Sequence, residues 1–278
     1  MPKNAKHLVV SKTNSLIEAT YHLTLAEQRL LLLVIAKIDS RQELGAGISH
    51  TITTDDLASA FAVPRKQAYE LLRDAAERLY GRSVIVHRPD AIDPNKDYTL
   101  TRWVSTVDFD GSRGEVSLFF APGILPFISH LRREFAQYQL IHVARMTSIY
   151  AIRFYELLIQ WRAAGSREVL VEWLRERFDL QDKYTSIRDL KRFVIEPAVE
   201  QINAHSDLWV KWEQRKRGRV VEALIFTFGP KAESKPETQA DSPAKPKPTL
   251  TREYVQQHAQ PGESWEEAWE RLRRKHGA

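Results

Sequence analysis

The same order of predicted elements occurs twice along this chain, and this repetition limits the possible fold more than any other feature. Each copy has a long apolar helix, a short strand, a short helix ending in phenylalanine (Phe61, Phe178), a second helix and a strand. A repeated pattern of this kind indicates a repeated supersecondary unit. The order helix, strand, helix, helix, strand, strand is that of a winged helix. The sequence therefore predicts an α+β chain, mainly helical, with tandem winged-helix domains.

Helix-boundary residues define the elements of the first copy. A short helical piece covers residues 14–19, and a strongly apolar helix then runs to about residue 38. Thr24 is its expected N-cap, Thr54 caps the short helix, Pro64 begins the second helix and Gly81 ends it. The buried stripe expected on the second helix contains Ala68, Leu71, Leu72, Ala75 and Leu79.

Strands are predicted from alternating, β-branched and aromatic stretches. The stretches in the first copy are residues 48–53, 82–88, 99–109 and 115–120, with the last two joined as a hairpin. Residues 123–146 are predicted to be helical or irregular. In the second copy a long helix is capped by Thr147 or Ser148 and ends at Gly165, before the short strand REVLVE.

Residues 184–219 combine an amphipathic helix with a basic hairpin. Ile187, Leu190 and Val194 share one helical face, which Ala198 and Ile202 continue, whereas Thr185, Arg188 and Arg192 lie opposite. Two strand-like segments follow, LWVKW and VVEALIFTF, with a turn at Gly218. Four cations surround this turn: Arg215, Lys216, Arg217 and Arg219. Such a pair of elements suits DNA, with the helix in the major groove and the wing along phosphates. A solvated helix and a basic loop remain the alternative.

Composition limits the binding partners and the kinds of reactive site that this chain can have. The net charge of +5 favours a polyanionic partner, and the absence of cysteine excludes disulfides and thiolate sites and fits the cytoplasm. No segment has the length of a signal peptide core or a membrane span. No phosphate-binding glycine loop occurs, and no two of the nine histidines have metal-ligand spacing. We therefore expect no enzymatic activity, no cofactor, no metal and no membrane partner.

The C-terminal part has a different composition. Residues 231–250 are rich in proline, charge and small side chains, which predicts a disordered linker. Residues 251–278 predict a short amphipathic helical tail, with a capping box at Ser264 and Glu267 and an apolar face that includes Trp265 and Trp269. An isolated helix of this length is marginal in water. It should dock either on its own domains or on a partner.

Two long blocks resemble a known family. NSLIEATYHLTLAEQRLLLLVIAKI and MTSIYAIRFYELLIQW are similar to the plasmid replication initiators that bind iterons, the Rep superfamily of theta-type replication. The resemblance covers roughly residues 10–230 and includes polar positions as well as apolar ones: Asn14, Glu18, Glu27, Gln28, Arg29, Ser148, Tyr150, Arg153, Tyr155 and Glu156. It implies two winged-helix domains, at 1–140 and 141–230.

The resemblance also implies a function. Such a protein would bind short direct repeats in a plasmid origin as a monomer, help open adjacent AT-rich DNA, and recruit the host initiator and replicative helicase. A homodimer, formed through the N-terminal domain and in equilibrium with the monomer, would repress its own gene at an inverted repeat. Two alternatives stay open: a transcriptional repressor without an origin function, and a nicking initiator, which the missing histidine pair disfavours.

Expected DNA contacts concentrate in the second domain. Arg188 and Arg192 are predicted to contact base edges, because arginine can donate two hydrogen bonds to guanine. Thr185 and Ser186 suit phosphate or base contact at the helix start, flanked by Lys183, Tyr184 and Lys191. The four wing cations should contact phosphates. In the first domain Arg65, Lys66 and Arg73 are weaker candidates, because Glu70, Asp74 and Glu77 dilute their charge.

Two features bear on self-association. Leu16, Leu23 and Leu30 are spaced by sevens, but the helix restarts between them, so these leucines are expected in the core rather than in a zipper. The better dimerisation candidate is the sheet around residues 103–120, if one of its edges pairs with another chain.

Overall fold

Two three-stranded antiparallel sheets with the same strand order organise the chain. The structure is a computed structural model that describes residues 7–87, 97–132, 134–231 and 269–270. One sheet has the order β2 (Ser49–Thr53), β6 (Glu115–Phe120), β5 (Val104–Asp110). The other has the order β8 (Ser166–Leu170), β10 (Val220–Pro230), β9 (Leu208–Arg217). In each sheet the strand that comes last along the chain lies in the middle, which confirms the predicted tandem repeat.

The helices repeat in the same way. An apolar helix opens each copy: α2 (Leu25–Ile35) follows the short α1 (Asn14–Ile17), and α6 (Ile149–Ile159) follows the short α5 (Ile141–Ala144). The helix-turn-helix of the first copy is α3 (Thr54–Phe61) and α4 (Arg65–Tyr80). That of the second is α7 (Val171–Arg177) and the helical run 187–205, which consists of α8 (Ile187–Leu190), a π-helical turn (Lys191–Ile195) and α9 (Glu196–His205). Each copy is a winged helix.

The first copy carries strands that the second lacks. β1 (Val9–Thr13) pairs with β7 (Phe135–Gln139), and β3 (Ser83–His87) pairs with β4 (Tyr98–Arg102). The prediction of helical or irregular structure for residues 123–146 was therefore wrong in part, since β7 lies there after a short 3-10 turn (Leu125–Phe127). Its pairing partner lies more than a hundred residues away in the chain, so no local pattern specifies it.

The strand predicted at residues 99–109 is in fact two strands, divided at Trp103. β4 pairs with β3, whereas β5 pairs with β6. The Trp103 side chain is fully buried and meets Tyr21 edge-on, with ring centroids 5.2 Å apart. Burial of this large side chain holds the point at which the chain passes from one sheet to the other.

Capping chemistry explains where the helices begin. Thr24 is the N-cap of α2, as predicted, and it forms a capping box with Glu27, but the helix ends at Ile35 rather than at residue 38. α3 is capped by Thr53 and not by Thr54: the Asp56 amide donates to Thr53 Oγ1 over 3.1 Å, and the Thr53 amide donates to Asp56 over 2.9 Å. The Thr54 hydroxyl instead donates to the Gly114 carbonyl over 2.8 Å, so this side chain binds the wing turn rather than the start of α3.

α4 begins after Pro64 and ends at Gly81, as the sequence predicts, but its buried stripe differs by one position. Ala68, Leu72, Ala75 and Leu79 are buried, with Ala76 beside them, whereas Leu71 is 39% exposed. Leu71 lies at the edge of the apolar face, where the packing of α4 against α2 and α3 leaves it half uncovered.

Leu16, Leu23 and Leu30 are all buried in the core. The chain leaves the helical conformation after α1 and resumes it only at Leu25, so a continuous zipper does not form. The expectation that these leucines are core residues is confirmed.

Buried polar contacts of α6 tie it to the first copy. The Arg153 guanidinium lies 4.0 Å from the Tyr21 ring centroid and 4.3 Å from that of Phe178, and it donates to the Ala19 and Tyr21 carbonyls over 2.6 and 3.2 Å. Burial lowers the pKa of Arg153. Because α6 also packs on α9, it contacts both copies. The boundary at residue 140 stays a prediction.

The predicted linker (231–250) and tail (251–278) lie outside the described residues, apart from Lys231, Trp269 and Glu270. Within the ranges that are described, no helix combines the length and the hydropathy needed to cross a bilayer.

Candidate nucleic-acid interface

The helical run 187–205 buries one face and exposes arginines on the other. Leu190, Val194, Ala198 and Ile202 are buried, and Ile187 is half-buried. Arg188 and Arg192 are exposed. The predicted helical faces are therefore correct. The apolar face packs on α6 and on strand β9, which holds the helix against its own domain and leaves the arginines in solvent.

A π-helical turn at Lys191–Ile195 interrupts this helix. The wider turn inserts one residue, so Val194 and Ile195 are both buried while Arg192 and Phe193 both project outward. Turns of this kind occur often at functional sites. The extra residue explains why a regular helical wheel drawn from the sequence identifies the arginines but not the aromatic side chain beside them.

Phe193 is the surface residue that sequence reasoning missed. Its side chain is 49% exposed, and the Arg192 guanidinium lies 5.2 Å from its ring centroid. The Tyr184 ring stacks on it at 5.9 Å. The signal in the sequence was an aromatic residue directly after an arginine on the polar face, and periodicity alone assigned it no role.

The start of the helix uses its polar side chains structurally. The Asp189 amide donates to Ser186 Oγ over 3.0 Å, and the Ser186 hydroxyl donates to the Asp189 carboxylate over 2.8 Å, so Ser186 is the N-cap. Tyr184 is half-buried in left-handed backbone, with φ of 51°. Tyr184 neighbours Tyr150 of α6, and burial together with the Tyr184 hydroxyl raises the pKa of Tyr150 to about 12. Lys183 and Thr185 are exposed at the same end of the helix.

The wing is a long antiparallel hairpin whose turn is Gly218-Arg219. Gly218 has φ of 63°, a backbone region open to glycine at little cost, and glycine at the first central position is typical of a type II′ turn. Lys216, Arg217 and Arg219 are exposed around it. Lys191 Nζ donates to the Gln214 side chain over 3.3 Å, which places the middle of the helix beside the wing.

The wing cations differ in their internal partners. Arg215 pairs with Glu168 and Glu222, each at 2.8 Å, and Arg217 lies 3.7 Å from Glu222. Within the part of the chain that the structure describes, neither Lys216, Arg219 nor Arg188 has an ion pair. These three cations therefore keep their charge uncompensated at the surface.

The corresponding surface of the first copy is less cationic. Arg65 pairs with Asp55 at 3.0 Å, and Lys66 and Arg73 are exposed on a helix that also exposes Glu70, Asp74 and Glu77. The tip of its wing carries Asp110, whose carboxylate accepts from the Ser112 and Arg113 amides. Hydrogen bonds from Ser112 and Arg113 lower the pKa of this carboxyl, so Asp110 keeps its negative charge to a lower pH.

Within residues 7–87, 97–132, 134–231 and 269–270, no group of three or more histidine, aspartate or glutamate side chains is arranged to hold a metal ion.

Two successive winged helices, the second with exposed arginines on its second helix and cations on its wing, define the class: a tandem winged-helix protein. The family model described as "Initiator Replication protein, WH1" matches residues 9–159, and "Initiator Rep protein, WH2" matches residues 170–228. The chain belongs to this family of initiator replication proteins.

Individual relatives and a solved structure are similar to this chain over most of its length. A "Replication initiation protein" of Escherichia coli is 27% identical over 226 residues, covering 79% of this chain and 69% of the relative. The "PI protein" of Escherichia coli is 25% identical over 257 residues, covering 80% and 83%. The crystal structure of the Pi initiator protein in complex with iteron DNA matches with a TM-score of 0.68 and 22% identity, over 82% of this chain and 99% of that one. At this identity the structural match shows the shared fold.

Proposed function

We propose that this protein initiates plasmid replication by binding iterons, the direct repeats of an origin, in double-stranded DNA. The observation that carries the proposal is the surface of the second winged helix, where exposed Arg188 and Arg192 lie on the helix beside a wing with uncompensated Lys216 and Arg219. A helix of this kind reads base edges in the major groove while wing cations hold phosphates. A solved family member with the same fold is described as bound to iteron DNA, which supports the same ligand here.

The proposed contacts divide between the two copies. The second domain reads sequence through Arg188 and Arg192, with Lys183, Thr185 and Lys191 beside them and the wing on phosphates. Ser186 contributes through its backbone, because its hydroxyl already caps the helix. The first domain, with the mixed charge of Arg65, Lys66, Arg73 and their acidic neighbours, mainly holds the DNA backbone. Domain boundaries near residues 140 and 230 belong to this proposal.

A nuclease footprint across the DNA surrounding the gene tests the proposal. Protection of several tandem repeats at helical-turn spacing, outside the promoter, is the expected result. Protection of a single inverted repeat over the promoter would favour a two-domain transcriptional repressor instead. A plasmid carrying the protected repeats should replicate only when the protein is supplied in trans, and permanganate reactivity of thymines in the adjacent AT-rich segment should report origin opening.

The tip of the wing should bind DNA without regard to sequence. Lys216→Ala is expected to weaken binding to iteron and random duplexes alike and to reduce the salt dependence of log K by about one unit, because one phosphate contact is lost. Fluorescence anisotropy over a range of salt concentrations measures both quantities. Lys211→Ala is the matched control, since Lys211 is exposed on the same strand but distant from the turn. An equal loss in the control would show that the effect reflects overall charge and not the tip.

We also propose that a homodimer forms through the edge strand β5 and represses the protein's own gene. Among the residues that the structure describes, β5 pairs only with β6, and its Phe109 side chain is 45% exposed. Beside it lies a surface cavity of about 280 Å³ lined by Tyr80, Thr106 and Val107 as well as Phe109. An unpaired strand edge next to exposed aromatic side chains favours pairing with a second chain.

Phe109→Lys is expected to shift the monomer–dimer equilibrium towards the monomer, because a charge would enter the apolar contact. Sedimentation equilibrium measures the shift. Leu170→Lys is the matched control, since Leu170 is a similarly exposed apolar residue on edge strand β8 of the other copy. A Phe109→Lys protein that stays as dimeric as the unmodified chain would remove β5 from the interface.

A further inference from the structure

The turn that leads into the arginine-bearing helix has an unusual backbone. Between α7 and α8 the chain contains no glycine, yet Asp179 and Tyr184 both adopt left-handed backbone, with φ of 55° and 51°. Residues other than glycine rarely adopt this conformation and keep it only where their surroundings hold them in place. Something in the structure must therefore hold this turn.

One guanidinium does so. Arg175, on α7, donates through Nη1 to the carbonyls of Leu180 and Lys183 over 3.4 and 3.2 Å. Through Nη2 it donates to the carbonyls of Tyr184 and Thr185 over 2.8 and 3.1 Å. The four acceptors span the turn from its beginning to the residue before the N-cap Ser186. A planar fork of donors suits this task, whereas a lysine ammonium cannot reproduce the fork.

We propose that Arg175 is a positioning residue for sequence-specific DNA binding. It holds the backbone that sets the direction in which the helix leaves Ser186, and so fixes where Arg188 and Arg192 meet base edges. This inference rests on the proposed DNA-reading role of that helix and deepens it. Arg175 itself contacts no base in this role, because its two Nη groups are already bonded to the protein.

The position of the charge agrees with a structural task. The dipole of the following helix opposes a cation near its N-terminus, whereas the dipole of α7 favours Arg175 in its last turn. Four carbonyl oxygens around the guanidinium offset that repulsion, so the hydrogen bonds account for the location of Arg175 without any bound anion. Rigid placement matters for base reading, since hydrogen bonds to a base edge weaken steeply when the donor is displaced.

The test uses the full chain with Arg175→Lys and Arg175→Ala, a protected-repeat duplex and a scrambled duplex of the same length and composition. Both variants should bind the repeat duplex about tenfold more weakly, within the range that a misplaced base contact costs. Affinity for the scrambled duplex, and its salt dependence, should stay unchanged. Hydrogen exchange of the amides at residues 183–190 should become faster in both variants.

Two results would overturn the proposal. If Arg175→Lys binds like the unmodified chain while Arg175→Ala weakens binding to both duplexes and lowers the salt slope by about one, Arg175 contacts a phosphate directly. Unchanged exchange at residues 183–190 in Arg175→Lys would show that the guanidinium does not hold the turn, and this measurement applies even if Arg175→Ala fails to fold.

A second arginine of α7 provides the matched control, and the exchange measurement separates failure of this proposal from failure of the proposed function. Arg177→Lys changes another arginine of α7, which stacks on Trp173 at 5.5 Å, and it should leave the ratio of the two affinities unchanged. If the unmodified chain showed no preference for the repeats, the proposed function would fail. The exchange measurement would then still decide whether Arg175 holds the turn.

Discussion

Lys12→Met is expected to lower the free energy of unfolding by about 3–5 kcal/mol, because it leaves an uncompensated buried carboxylate. Lys12 Nζ donates to Glu156 Oε1 over 2.7 Å, and neither side chain is more than 1% exposed. The Tyr138 hydroxyl donates to the same oxygen over 2.6 Å. These three residues join β1, β7 and α6, so the loss should affect the whole described core. Urea denaturation followed by circular dichroism measures it.

Removal of the entire polar group is the matched comparison. The double variant Lys12→Met, Glu156→Leu removes both charges but leaves the Tyr138 hydroxyl without its hydrogen-bond acceptor. A buried hydroxyl without a partner lowers the free energy of unfolding by about 1–3 kcal/mol. Addition of Tyr138→Phe should therefore recover most of the lost stability, since apolar replacements of buried ion pairs are often neutral. A Lys12→Met protein as stable as the unmodified chain would show that water or another cation reaches Glu156.

Arg188→Ala should weaken binding to the protected repeat by about 5- to 150-fold, which corresponds to about 1–3 kcal/mol for one lost bidentate base contact. Discrimination at one base position should relax, while binding to random DNA should change little. Arg192→Ala should relax discrimination at a different position, because the two side chains lie one helical turn apart. Competition binding against duplexes with single base substitutions measures both effects.

Two controls sharpen this test. Arg188→Lys keeps the charge but not the fork, so a base contact should be lost while a phosphate contact would survive. Arg145→Ala removes an exposed arginine that lies outside the proposed DNA surface and should have little effect. Equal losses on repeat and random duplexes for Arg188→Ala would remove the helix from its reading role.

Local chemistry explains the parts of the fold that the sequence predicted correctly. Three of these parts depend only on neighbouring residues: the N-cap at Thr24, the start of α4 after Pro64 and the wing turn at Gly218. So does the face of the helix that exposes Arg188 and Arg192, because the spacing of apolar residues specifies which side is buried. The tandem order of elements was visible for the same reason.

Long-range packing explains what the sequence did not show. β7 pairs with β1, and the strand predicted at 99–109 divides at the buried Trp103, where the chain passes from the sheet of β3 and β4 to the sheet of β5 and β6. The Thr54 hydroxyl binds the carbonyl of Gly114, which lies sixty residues further along. None of these partners can be identified from a window of neighbouring residues.

The sequence by itself determined the repeated winged-helix order, the basic wing and the arginine-bearing helix, because periodicity and turn residues act over a few positions. Only the tertiary structure decided how that surface is assembled. Three of its features depend on contacts between elements: the π-helical turn that exposes Phe193, the ion pairs of Arg215, and the hydrogen bonds from Arg175 to backbone carbonyls. Packing therefore determines which cation is available for DNA and which one stabilises the protein's own backbone. Arginine side chains have the same chemistry everywhere, and they differ only in the groups that the fold places beside them.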